Sequence, residues 1–390
     1  MMSMSSDGQA ERPIPQPDTM VTPDEPALPA VIDYFQRARE IFDRAERGSP
    51  TRVEKSFRLA GGTILLRFAN GALVPLLSRA LAHLETASGG AAPDLTLRLW
   101  DGKSTGHMLP PPDWRRDAYL RHGAVQGYHS GRHSVLFQAD CGLLSLVDHL
   151  NGEAIVYAMD AGEIPYYETA APLRASLGPW LASRGFQIIH AAAVGLPEGG
   201  VLIVGEGGSG KSTTAATCIG SGLGFLADDY CVVSAGEIPT VVALYSTAKL
   251  RPEGLDLLPH LRAWIANADR LDREKPTLFI WENAPGDVIG ECPLRAILVP
   301  VKTGRTNTEI LPCSRAAALR RLAPNTLAQQ PGADAGAFRR LAALTGGLPA
   351  HTLALGTRME DIPAAILKFL ETTFSESSGK TETKGNMPVE

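Results

Sequence analysis

The sequence predicts an α/β protein: a phosphate-loop domain preceded by a smaller antiparallel α+β domain. Three observations carry that prediction. The segment Gly205-Glu206-Gly207-Gly208-Ser209-Gly210-Lys211-Ser212 fits G-x-x-x-x-G-K-[ST]. Around it, short β-branched apolar runs alternate with stretches of helical spacing. Upstream, strand-like alternation is broken by turn residues.

The phosphate loop sits where its pattern has meaning. Gly200-Val201-Leu202-Ile203-Val204 reads as a buried strand leading in, and Thr213 to Ile219 reads as a helix leading out. In that context Gly205, Gly207, Gly208, Ser209, Gly210 and Thr213 shape a backbone cradle for phosphate. Lys211 reaches the β/γ-phosphates and the Ser212 hydroxyl ligates Mg²⁺, so ATP and Mg²⁺ are the expected ligands. A glycine-rich turn matching by chance is the alternative.

The chain has 390 residues, which suits two folded units with tails. Apolar residues make up 44% and charged residues 20%, enough for a core. A net charge of −5 argues against a nucleic-acid or anionic-membrane partner. Five scattered cysteines without C-x-x-C spacing suit a reducing cytoplasm and not a disulfide framework. Residues 1–27, rich in Ser, Pro, Asp and Gln, read as a disordered tail.

Residues 28–171 form the expected first domain. Leu28, Val31, Ile32, Phe35, Ala38, Ile41, Phe42 and Ala45 recur at helical spacing, a stripe expected to dock on its own domain. Phe57 and Leu59 face Ile64, Leu66 and Phe68 across Gly61-Gly62, as in a hairpin. Leu95/Leu97/Leu99, Val135/Phe137 and Ile155/Tyr157 read as further strands, with a stiff proline loop at Leu109–Trp114. His122, His129 and His133 share no helical face, so a metal site there is set aside.

Residues 172–374 form the expected second domain. A helix is predicted over Leu173–Arg184, then one strand over Ile188–Val194, joined by Pro197–Gly200 to the strand that feeds the loop. Strands are expected at 225–227, 231–234, 241–245 and 297–301, and helices at 315–322, 337–344 and 362–370. Residues 375–390 read as a second disordered tail.

Two features near the loop point to chemistry. Asp228 and Asp229 follow an apolar strand 17 residues beyond Lys211. One carboxylate there can hold Mg²⁺ and the other can accept a hydroxyl proton. An acidic turn capping a helix is the competing reading. His190 precedes the loop by one hairpin and can support an aspartate or a phosphate, or be a satisfied buried histidine.

His190-Ala191-Ala192-Ala193-Val194, the phosphate loop and Leu226-Ala227-Asp228-Asp229 together resemble the catalytic domain of HPr kinase/phosphorylase, in order and in spacing. The wider chain resembles the HPr-kinase-like "serine kinase" proteins of bacterial gene clusters. Pro172–Arg174, Tyr245–Arg251 and Pro293–Pro300 carry that likeness. The resemblance implies an HPr-kinase/PEP-carboxykinase-like fold and an ATP- and Mg-dependent kinase acting on a serine-type hydroxyl of a peptide or small protein. It implies Asp228 as general base, Asp229 and Ser212 at Mg²⁺, and His190 supporting the acidic pair; which aspartate plays which part stays open. It also implies possible homo-oligomerisation. The family's later E-I-R-G-L-G signature has no counterpart here; Ser246–Arg251 stands in its neighbourhood, so HPr recognition is not implied. Within that stretch, Lys249 and Arg251 are possible phosphate contacts. A small-molecule kinase and a nucleotide-dependent regulatory module are the alternatives.

Overall fold

The structure is a computed structural model and describes residues 29–87, 92–112, 123–125, 128, 132–234, 236–329 and 335–382. The first 28 residues, with Leu28, lie outside these, as do Asp113, Trp114, His122 and His129.

Helix α1 (Pro29–Gly48) carries the expected stripe inward, with Val31, Phe35, Ala38, Ile41, Phe42 and Ala45 buried. Ile32 instead faces outward, 41% exposed. The hairpin β1 (Val53–Leu59) and β2 (Gly62–Phe68) pairs Phe57 with Ile64 as the turn glycines require. After the short helix α2 (Val74–Leu77) come β3 (Glu85–Thr86), β4 (Leu95–Asp101), the single turn α3 (Gly102–Thr105), β5 (His133–Gln138), β6 (Leu143–Asp148) and β7 (Glu153–Ala158). They form one seven-stranded sheet in the order β3-β1-β2-β4-β7-β6-β5.

This sheet is mixed, not antiparallel as the sequence suggested. Strand β4 runs parallel to both β2 and β7. The reason lies in the connections: residues 69–94 cross over through α2 and a 3₁₀ turn, and parallel neighbours need a link of that length. Strand β6 was not legible because all six of its residues are buried, which erases alternation. One face of the sheet packs Trp100, Val135, Leu146 and Ile155 under α1. The other packs Phe57, Leu66, Leu97 and Val156 against α5 (Arg174–Ser183), which follows the short α4 (Tyr166–Thr169). That second core also contains Ile188, Val232 and Val242, so it continues into the next sheet.

The expected single strand at 188–194 is two strands. β8 (Phe186–Ile189) pairs with β12 (Cys231–Ser234), whereas β9 (Ala192–Leu196) pairs with β10 (Gly199–Ile203) and β11 (Gly224–Ala227). The chain switches partners at His190 within one continuous apolar run. Between β10 and β11 lies α6 (Lys211–Thr217). Further on come β13 (Thr240–Val242), β14 (Thr247–Lys249), α7 (Pro252–Leu257), β15 (Thr277–Phe279), α8 (Ile280–Asn283) and the long β16 (Glu291–Lys302). β17 (Glu309–Pro312), α9 (Arg315–Gln329), α10 (Ala335–Gly347), β18 (Ala350–Leu355) and α11 (Asp361–Glu382) complete the described chain. The backbone stays helical well past Phe374, where the sequence suggested a tail.

Strand β16 organises this second sheet. Its first residues pair antiparallel with β13, and its later ones lie parallel between β10 and β18. Helices cover both faces of that parallel centre: α6 and α11 on one side, α9 and α10 on the other. The phosphate loop leaves the carboxyl end of β10, where open α/β sheets leave room for ligands. The expected strand at 241–245 is paired only as far as Val242, and β14–β15 form a separate two-stranded ribbon.

Candidate functional site

The segment Gly205–Ser212 turns out of β10 and into α6. Gly208 and Gly210 have φ of +86° and +111°, values that side chains with a Cβ resist. Lys211 folds back over the loop, its Nζ donating to the carbonyls of Gly205 at 2.7 Å and Glu206 at 3.2 Å. Burial pulls its pKa down, against the opposing pull of Asp228 and Asp229. Asn325 on α9 also donates to Gly205 O, at 3.2 Å. The Ser209 Oγ is buried with no partner among the described residues, and Thr213 accepts from Thr217 through its carbonyl.

The acidic pair follows β11 on a tight turn. The Tyr230 N–H donates to Asp228 O at 2.9 Å, and Asp229 sits at φ +68°. A non-glycine residue held there costs on the order of 1–3 kcal/mol. The turn breaks the strand's alternation, so two consecutive carboxylates stand on the same side, as the proposed chemistry requires.

Their environments differ sharply. Asp228 is 2% exposed. Its Oδ2 accepts the Lys249 N–H at 2.9 Å, while its Oδ1 is buried without a hydrogen-bond partner among the described residues. Burial, then the neighbouring Asp229 charge, push its carboxyl up to about 7. The Ser212 hydroxyl is close enough to pull the other way, though not in hydrogen-bonding geometry to Oδ1. Asp229 is likewise pushed up by burial, but Lys249 and His190 outweigh this and hold it well below the usual carboxylate range. Lys249 Nζ lies 2.6 Å from Asp229 Oδ2, and His190 Nε2 lies 3.4 Å from Oδ1. Burial works against the Lys249 charge too, yet Asp229 keeps its pKa raised.

The structure therefore brings His190, Lys211, Ser212, Asp228, Asp229 and Lys249 together. Of the two basic candidates, Lys249 spends its charge on Asp229. Arg251 lies over the loop: a methyl placed on Gly208 would stand 3.3 Å from its guanidinium. Asp229, expected at a metal, has both oxygens already partnered.

Some contributors were not evident from the sequence. The His190 ring rests against Tyr230 with centroids 5.5 Å apart, and the His190 backbone N–H donates to Thr326 Oγ1 at 3.1 Å. Tyr230 in turn donates its hydroxyl to Gln329 at 2.5 Å, and the Arg174 guanidinium lies 4.5 Å from its ring centre. Tyr230 was findable as the neighbour of the acidic pair; Thr326, Asn325 and Gln329 lie on α9 with no pattern to mark them.

Among the described residues, no cluster of three or more His, Cys, Asp or Glu side chains is arranged to hold a metal ion. Magnesium asks less of a protein, usually one or two carboxylates with substrate phosphates and water. The bare Asp228 Oδ1 and the nearby Ser212 hydroxyl fit that requirement. No described helix is long and apolar enough to cross a membrane.

No family model and no curated protein matches the chain. Among solved structures it is similar to the Hpr(Ser) kinase/phosphatase from Coxiella burnetii, at 10% identity and a TM-score of 0.29. That match covers 51% of this chain and 96% of the other.

Proposed function

We propose that the chain is an ATP- and Mg²⁺-dependent kinase that transfers the γ-phosphoryl group to a serine-type hydroxyl of a peptide or small protein. One observation carries this reading: a buried aspartate with an unpartnered oxygen, its pKa pushed up to about 7, stands beside the phosphate loop. A carboxyl of that pKa is matched to taking a proton at neutral pH. A nucleotide sensor has no use for it.

In the proposed reaction the acceptor oxygen attacks the γ-phosphorus, its proton passes to Asp228 Oδ1, and ADP leaves. Lys211 gives up its loop carbonyls to meet phosphate oxygens, and the amides around Gly208 and Gly210 line the cradle. Mg²⁺ would be held by the Ser212 hydroxyl with the phosphates and water, which leaves Asp228 Oδ1 free for the proton, and would neutralise charge on the leaving oxygens. Asp229, fixed by Lys249 and His190, keeps a negative charge next to Asp228 and so sustains its affinity for the proton. The peptide-like acceptor rests on the sequence resemblance.

Asp228→Asn tests this. Nucleotide binding should persist within a few-fold, while transfer from labelled ATP to acceptor falls about 10²–10⁴-fold, the usual worth of a positioned base. Undiminished transfer by the variant sinks the assignment.

A further inference from the structure

The ribbon β14–β15 holds a second group of charges that the mechanism above does not use. Its register pairs Lys249 with Thr277, and the Leu250 N–H donates to Pro276 O at 3.1 Å. Carried one residue further, that register sets Arg251 opposite Lys275. Like charges facing each other across an antiparallel pair are destabilising unless something lies between them. Neither cation forms an ion pair with a carboxylate among the described residues. Glu274, next in the chain, turns away to the Tyr166 N–H at 3.4 Å and to Arg270 at 4.0 Å.

The position of the pair points to the kind of anion that would fit it. The ribbon is anchored at the reacting end of the site, because the Lys249 N–H is bonded to Asp228. From there Arg251 reaches over Gly207 and Gly208, where added methyls would lie 3.8 Å and 3.3 Å from its guanidinium. Lys275, across the ribbon from Arg251, therefore stands at the same edge of the loop. Two like charges facing each other at the edge of a phosphate loop repel, and a polyphosphate lying between them would remove that cost.

We propose that Arg251 and Lys275 form a paired-cation subsite for the terminal phosphate of a nucleoside triphosphate, so that the chain selects triphosphate over diphosphate. The inference rests on the nucleotide reading of the loop and adds a specificity residue, Lys275, that the motif does not contain.

Titration calorimetry on the full chain with Mg-ATP and Mg-ADP separates the possibilities. The wild type should bind ATP more tightly than ADP. Lys275→Gln should lose roughly 10-fold in ATP affinity, the scale of one charge-assisted contact, and less than about 2-fold for ADP. Arg251→Gln should move in the same direction, and Lys275→Arg should recover most of the loss. Without nucleotide, Lys275→Gln should melt no lower than the wild type, because it relieves repulsion. ATP affinity unchanged by Lys275→Gln overturns the subsite alone. Equal losses for ATP and ADP also overturn it, moving the contact to the inner phosphates. A wild-type chain that binds neither nucleotide refutes the underlying reading as well.

Discussion

Asp148 and Asp228 are hidden to the same degree, 3% and 2% exposed, one at a strand end of each sheet. Asp148 closes β6 and is saturated: it accepts from the Arg132 guanidinium at 2.8 and 3.1 Å and from the Leu150 and Asn151 N–H groups. Burial opposes its charge, but Arg132 and Asn151 win and hold its carboxyl below the usual range. Asp228 receives one N–H and is pushed the other way. Burial alone therefore does not mark a functional acid. What separates the two is whether the fold supplies partners for every oxygen. Where it does, the acid locks a turn; where it does not, the vacancy is available for chemistry.

The comparison is broken most severely by taking the counter-charge from the acidic pair. Lys249→Met leaves Asp229 charged and buried with only His190 beside it. We expect a loss of about 3–5 kcal/mol in urea unfolding, the usual cost of halving a buried ion pair. A loss below about 1 kcal/mol, the worth of a surface pair, would mean that Asp229 is solvated and that the site is open. Asp148→Asn sharpens the contrast on the other side. It removes an acceptor from an otherwise complete turn and should cost about 1–3 kcal/mol. Phosphoryl transfer per folded molecule should be unaffected, which a single-turnover assay corrected for folded fraction checks.

Much of this was legible in the chain, for identifiable reasons. The loop, its flanking strand and its helix announce themselves because each needs a particular residue type: glycine at φ +86° and +111°, lysine to bridge carbonyls. The adjacency of Asp228, Asp229 and His190 also followed from spacing. What stayed hidden was pairing. Nothing in Ile188–Val194 shows that the run changes sheets at His190, because every residue but that one is apolar and buried. Nor does Thr247–Lys249 show that it pairs with Thr277–Phe279 across a long excursion, and that pairing is what sends Lys249 to Asp229. Side-chain chemistry is local in sequence; the register that directs it is not.

The smallest expected effect is the most diagnostic, because the two aspartates should give it opposite signs. Asp228 holds its proton to about pH 7 in the folded chain, against the ordinary 3.8 when unfolded. Its contribution to stability is therefore full below the unfolded value and is lost as pH rises through the folded one. Asn in its place has no charge to desolvate. Asp228→Asn should then melt above the wild type at about pH 8, by at least roughly 1 °C, the shift that about 1 kcal/mol produces in a chain of this size. That advantage should shrink as pH falls and be gone below about 3, where the wild-type carboxyl is mostly protonated in both states. Asp148 has its folded pKa lowered, so its contribution is present above the unfolded value and disappears as pH falls through the folded one. Asp148→Asn should melt below the wild type at neutral pH, with the deficit closing in acid. Melting curves of both variants across this range would show two differences converging from opposite sides. If Asp228→Asn instead falls below the wild type at about pH 8, Asp228 is a satisfied structural acid like Asp148, and no base stands beside the loop.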